Sequence, residues 1–173
     1  MEKIKATLIS EKVTSNTAEA QSLFATSRFG EKFGEKILYS LSEALYLIHD
    51  KKMELYNFRN KKLSEKEILK KFEQIDKKFK TKSLVFSDLR KNGYIVKTAL
   101  KFGAEFRVYE KGKKVGKDHS KWLCFPVSEN TQLTWQEFSA KSRVAHSTKK
   151  NLLIAVVDDE GSVSYYEVKW TRV

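Results

Sequence analysis

The spacing of apolar residues changes period at Gly93, and that change constrains the fold more than any single motif. Before it, Ile68, Leu69, Phe72, Ile75 and Phe79 fall on one face of a helix with about 3.6 residues per turn. After it, Tyr94–Leu100, Glu105–Glu110 and Lys121–Val127 are rich in aromatic and β-branched residues and read as strands. Helix starts are marked three times, by Ser40-Leu-Ser-Glu43, Ser64-Glu-Lys-Glu67 and Thr134-Trp-Gln-Glu137. In each, the hydroxyl and the carboxylate three residues on satisfy each other's orphan backbone donors. The first opens a short helix from Leu41 to about His49. The second opens a longer one that takes in the apolar face through Phe79. A further helix, roughly Lys80 to Asn92, stops at Gly93. Leu152–Val157 predicts a short buried strand, Asp158–Gly161 a turn, and Ser162–Trp170 a last alternating strand. The expected fold is α/β of the α+β type, divided near residue 85 within helical sequence. Residues 1–85 form a small mixed N-terminal domain, mostly helical with a few short strands. It packs on a C-terminal domain, residues 86–173, whose mixed β-sheet is flanked by helices.

Charge narrows the partners. The 173 residues carry 34 Lys and Arg against 22 Asp and Glu, a formal net charge of +12, and the pI is near 9.6. The excess is spread evenly, with 18 basic and 12 acidic side chains in residues 1–85 and 16 and 10 in residues 86–173. No charged tail stands apart as a binding arm. A basic excess points to nucleic acid or an anionic membrane surface, or to mere solubility of a Lys-rich chain. With 40% hydrophobic and 12% aromatic residues, the chain has the material for a core and is not a disordered polymer. Leu152–Val157 is the longest purely apolar run, far below the roughly 20 residues a membrane span needs. The opening MEKIKATLIS puts charges where a secretory signal is apolar. A soluble, cytoplasmic protein without a membrane partner is the expectation.

Metal and nucleotide motifs are missing. His49, His119 and His146 lie far apart, and one cysteine, Cys124, sits in an apolar strand, where it belongs to the core. Gly112-Lys-Lys-Val-Gly116 is a basic loop without the P-loop pattern. Asp158-Asp159-Glu160 precedes Gly161 between two strands and reads as a hairpin turn. His119 ends a basic loop just ahead of a strand, Tyr109 is a strand aromatic, and Lys149-Lys150 is a charged pair. Each is ordinary alone. Together they suit a reaction that needs no metal or other cofactor. RNA carries its own nucleophile, the ribose 2′-OH, so cleavage needs a base, an acid and a cation for the phosphorane charge. Histidine titrates near neutrality, and lysine supplies the charge.

The runs Tyr94–Glu110, Asp118-His-Ser120 and Arg143-Val-Ala-His-Ser-Thr-Lys-Lys150 resemble the catalytic domain of archaeal tRNA-intron endonucleases. Upstream, Leu41–Ile48 and Asp88–Tyr94 are similar to that family's N-terminal domain and interdomain segment. The resemblance implies a nuclease-like C-terminal domain and a catalytic triad of Tyr109, His119 and Lys150. Tyr109 would act as general base on the 2′-OH, His119 as general acid on the leaving 5′-oxygen, and Lys150 as the stabilising cation. Lys150 is preferred to Lys149 because the family lysine stands just before the entry to the last apolar strand. The resemblance also implies that Arg143 and Trp170 hold an extruded bulge base by cation–π contact. The implied substrate is precursor tRNA cut at a bulge-helix-bulge, giving 2′,3′-cyclic phosphate and 5′-hydroxyl ends. The implied assembly is a homotetramer, with a heterotetramer as the alternative. Strand Ser162–Trp170 and loop Ser128–Gln132 are the expected contact surfaces, Glu129 approaching a basic cleft of another subunit. Two other classes stay open: a metal-dependent nuclease using Asp158, Asp159 and Lys150, and a non-catalytic RNA-binding scaffold subunit.

Overall fold

The computed structural model describes residues 2–113 and 115–173. Met1, which opens the charged N-terminal run, and Lys114, in the basic loop, lie outside them. The chain divides into two compact units, Met1–Ser83 and Leu84–Val173.

In the first unit, strands β1 (Ile4–Ile9), β2 (Lys12–Ser15), β3 (Glu31–Phe33), β4 (Lys36–Tyr39) and β5 (Met53–Tyr56) form one sheet in the order β3-β4-β2-β1-β5. β1 and β5 run parallel, and the other pairs are antiparallel. Helices α1 (Ala18–Ser27), α2 (Leu41–His49) and α3 (Glu65–Ile75) connect or follow the strands. Both expected capping boxes are made. Glu43 N–H donates to Ser40 Oγ and Ser40 N–H returns to the Glu43 carboxylate, and Ser64 and Glu67 repeat the exchange. The unit holds more strand than its helix signals suggest, because β1 to β4 mix their few buried residues with exposed polar ones.

One element needs correction. The apolar face from Ile68 does not run through Phe79 as one helix. α3 stops at Ile75, Asp76 is extended at φ −133° and ψ 110°, and Phe79 opens α4 (Phe79–Lys91). Asp76 makes the break: its carboxylate accepts from Lys78 N–H at 2.9 Å and Lys82 Nζ at 2.6 Å, a local alternative to the helical ladder. Phe72 and Phe79 still meet edge to face at 5.2 Å. The apolar stripe survives although the helix does not.

The second unit follows the expected order closely. Strands β6 (Ile95–Thr98), β7 (Phe106–Tyr109), β8 (Trp122–Ser128), β9 (Asn151–Val157) and β10 (Val163–Val168) form a mixed sheet in the order β10-β9-β8-β7-β6. A 3₁₀ turn, Leu100–Phe102, takes the end of the run expected to be strand. β8 and β9 are parallel and joined through α5 (Trp135–Ser147), which Thr134 and Glu137 cap as expected. Register puts Phe106, Cys124 and Leu153 on one face, where Phe86 of α4 packs on Phe106 and Tyr165 donates to Asp88 at 2.7 Å. Leu123, Phe125, Leu152 and Ile154 line the other face against Ala145, Phe138 and Val144 of α5. Cys124 is fully buried, and burial pushes its thiol pKa up.

Gly30 tests the close packing of the first unit. It has φ +74°, and an added Cβ would lie 2.3 Å from Ile37 Cγ2 and 2.9 Å from the Leu38 carbonyl oxygen. Gly34, at φ +58°, faces open space. Gly30→Ala is expected to cost about 2–4 kcal/mol from overpacking and backbone strain together. Gly34→Ala should cost about 1 kcal/mol from backbone conformation alone. Urea unfolding of the two variants decides it; equal losses would contradict the packing described.

Candidate active site

Three adjacent strands set the site. Val108 is paired with Trp122 and Trp122 with Asn151. The ladder runs one step further: Lys121 N–H donates to Val108 C=O at 2.9 Å, and Asn151 N–H donates to Lys121 C=O at 2.9 Å. Tyr109 is therefore the last residue of β7, and Lys150 directly precedes β9, at the same end of the sheet. They are two strands apart, about 10 Å at the usual interstrand spacing. His119 lies three residues before β8 starts, so its loop returns to that same end. Strand alternation puts Tyr109 with Arg107, and Lys150 with Leu152, on the face that α5 covers. Tyr109 is buried at 4% exposure, Lys150 is half-buried, and His119 is exposed.

Lys150 is placed by the end of α5. Its backbone N–H donates to Ala145 C=O at 2.9 Å, and its ammonium donates to Thr148 C=O at 3.0 Å and lies 5.7 Å from the Phe102 ring. Lys149 takes φ +56° at the turn and is exposed. Of the two lysines, Lys150 is thus the one whose ammonium is held in place, by a carbonyl and a ring. Burial, then the charges of Arg107 and Lys101, hold its pKa below the ordinary lysine range. Lys97, opposite Arg107 in the register and 3% exposed, adds a further cationic side chain on this face. Positive charge from Arg107 and Lys101 bears on Lys150, and such a cationic site attracts an anionic phosphate.

Arg143 and Trp170 are brought together. Both line one groove between α5 and the segment after β10, and both are exposed. A further residue joins them that no sequence motif marks. His146, three positions after Arg143 on α5, stacks against Trp170 with ring centroids 4.6 Å apart. Its i, i+3 spacing from Arg143 was the available signal.

Asp158 and Asp159 do not join this site. Asp158 is in the β9–β10 turn, where its carboxylate accepts from Ser162 N–H at 2.8 Å and its carbonyl accepts from Gly161 N–H at 3.1 Å. That turn is at the far end of β9 from Lys150, roughly 26 Å along extended chain. The constellation required for a metal-dependent reading is not assembled, and no group of three or more metal-ligating side chains occurs among the described residues. Glu129 is also engaged within the chain, accepting from Asp159 N–H at 2.8 Å. Among the described residues no helix is long and apolar enough to cross a membrane.

Two family models match the chain. The tRNA intron endonuclease N-terminal domain matches residues 4–69, and the tRNA intron endonuclease catalytic C-terminal domain matches residues 79–165. The second range includes Tyr109, His119, Arg143 and Lys150 and stops short of Trp170. A tRNA-splicing endonuclease of Thermococcus kodakarensis is 41% identical over 150 residues, covering 87% of each chain. That of Nanoarchaeum equitans is 41% identical over 154 residues, covering 83% of this chain and 98% of its own. That of Methanothermobacter thermautotrophicus is 39% identical over 156 residues, covering 90% of each.

The setting of Lys150 has a measurable consequence. In an NMR titration of labelled lysines, Lys150 should lose its proton at lower pH than the exposed lysines. Lys101→Ala removes one repelling charge and should move that titration upward. A Lys150 that titrates with or above the exposed lysines would contradict the crowding of positive charge.

Proposed function

This chain belongs to the tRNA intron endonuclease family, and we propose that it cuts precursor tRNA at the intron–exon junctions of a bulge-helix-bulge without a metal ion. The observation that carries this reading is the shared sheet end of Tyr109, His119 and Lys150. Residues 86–173 carry the chemistry, and residues 1–85 form the N-terminal domain.

The three groups match the three needs of RNA transesterification. Tyr109 takes the proton of the 2′-OH, whose oxygen forms a new bond to phosphorus. His119 gives a proton to the 5′-oxygen as the P–O5′ bond breaks. Lys150 offsets the charge that grows on the phosphorane oxygens. Atoms balance without water, leaving a 2′,3′-cyclic phosphate and a 5′-hydroxyl. The exposed loop position of His119 suits a group that meets a large substrate. A-form duplex offers side chains little sequence to read, so recognition falls on shape and on splayed bulge bases. Arg143 and Trp170, on one groove, form the cation–π clamp for one such base.

Two similar scissile junctions favour a symmetric assembly. β10 is an edge strand of its sheet, in keeping with a contact surface there. The reading makes the active unit a homotetramer, with a heterotetramer as the alternative. Light scattering checks this, since a fully active species near one 20.1 kDa chain would refute it.

His119→Ala and Tyr109→Phe should each slow single-turnover cleavage by roughly 10²–10⁴. Cleavage by the wild-type chain should persist in excess chelator. Wild-type rates from both variants, or loss of all activity in chelator, would overturn the assignment.

A further inference from the structure

Trp135, Phe138, Ser142 and His146 recur along α5 at steps of three, four and four residues, so they form one stripe down the helix. Trp135 stands at its N-terminal end and is 83% exposed. An indole held this open is unusual, because tryptophan normally buries most of its large apolar surface. Its ring meets Phe138 edge to face at 5.9 Å, which orders it without covering it. Trp135, Phe138, Ser142 and Arg143 form one wall of an open groove of about 640 Å³, and Val168–Thr171 forms the other. The groove thus continues past the Arg143–Trp170 pair toward Trp135. Arg143 stands eight positions after Trp135 on the helix, about 12 Å at 1.5 Å per residue. Stacked bases rise about 3.4 Å each, so one clamped base leaves most of that length unfilled.

We propose that Trp135 is a second stacking platform, holding another unpaired nucleotide of the same RNA bulge beside the base held by Arg143 and Trp170. The proposal rests on the clamp reading above and extends it along α5. Charge selects the occupant. Among the described residues the groove is lined by the cations Arg143 and Lys169 and by no carboxylate. An open aromatic face beside cations fits unpaired nucleotides, since every base offers a π-face and every phosphate a negative charge. Each indole has a ring against it, Phe138 edge-on to Trp135 and His146 tilted against Trp170.

The test uses the full chain and a bulge-helix-bulge RNA with 2′-deoxy sugars at the scissile positions, carrying 2-aminopurine at each bulge nucleotide in turn. Stacking on an aromatic ring quenches this base. The wild-type chain should quench at two positions. Trp135→Ala should restore fluorescence at one of them, leave the other quenched, and weaken binding about 5- to 150-fold. Trp135→Phe should keep both. Trp170→Ala should release the position that Trp135→Ala leaves quenched. Unchanged quenching and affinity in Trp135→Ala would overturn the proposal. So would a changed mass of that variant in light scattering, which would place the indole between copies of the chain. A wild-type chain that quenches at one position only, lost in Trp170→Ala, would keep the clamp and remove the second platform. A wild-type chain that quenches nowhere would remove the clamp itself.

Discussion

The hydrogen bonds that tie Val108, Lys121 and Asn151 into one row hold the Tyr109 and Lys150 end of the sheet in register. A slip of one residue in either pairing would turn Tyr109 or Lys150 to the opposite face, because side chains alternate with a period of two. The register is in turn enforced from both sides. Leu123 and Leu152 must meet α5 on one face, while Phe106 and Cys124 must meet α4 on the other. The apolar core thus does the positioning, and the polar groups sit where the strands run out. Parallel pairing of β8 with β9 adds a second consequence. It brings the starts of both strands together, so that the loop carrying His119 and the helix end carrying Lys150 arrive side by side.

Electrostatics follow from that same geometry. Arg107 and Lys150 share a face because they alternate with residues paired across β7, β8 and β9, and Lys97 joins them through its pairing with Arg107. Burial and mutual repulsion depress the Lys150 pKa, a cost carried in the free protein. An anionic phosphate removes it. In the proposed reaction the gain is larger as negative charge concentrates on the phosphorane, which is how the crowding would favour the transition state over the ground state. The basic surplus of the chain is distributed over both halves, whereas this cluster is local and set by register.

Much of this was legible in the sequence, for physical reasons that differ by element. The three capping boxes were readable because hydroxyl and carboxylate spacing is local. β7 to β10 were readable because buried strands carry dense aliphatic and aromatic runs. The break at Asp76 was not, since the apolar stripe from Ile68 to Phe79 continues across it and only the carboxylate contacts with Lys78 and Lys82 reveal the turn. The strands of the first unit carry a weak signal because they are half polar, as in Lys12–Ser15. At the site, Tyr109, His119 and Lys150 could be named from motif order, but their shared sheet end depends on pairing that no single segment encodes. His146 was passed over because its contact with Trp170 joins residues 24 apart in sequence. The acidic turn Asp158–Glu160 was separable from the lysine only once β9 was seen to hold them at opposite ends.

In the proposed reaction the substrate's own 2′-hydroxyl is the nucleophile, driven by groups from one sheet end. Single-turnover cleavage of a bulge-helix-bulge RNA carrying one 2′-deoxy sugar, placed at one scissile junction only, tests it most directly. The modified junction should stay intact while the unmodified one in the same molecule is cut, leaving a cyclic phosphate. Equal cleavage at both junctions would contradict it, because a deoxy sugar has no 2′-oxygen to attack the phosphorus.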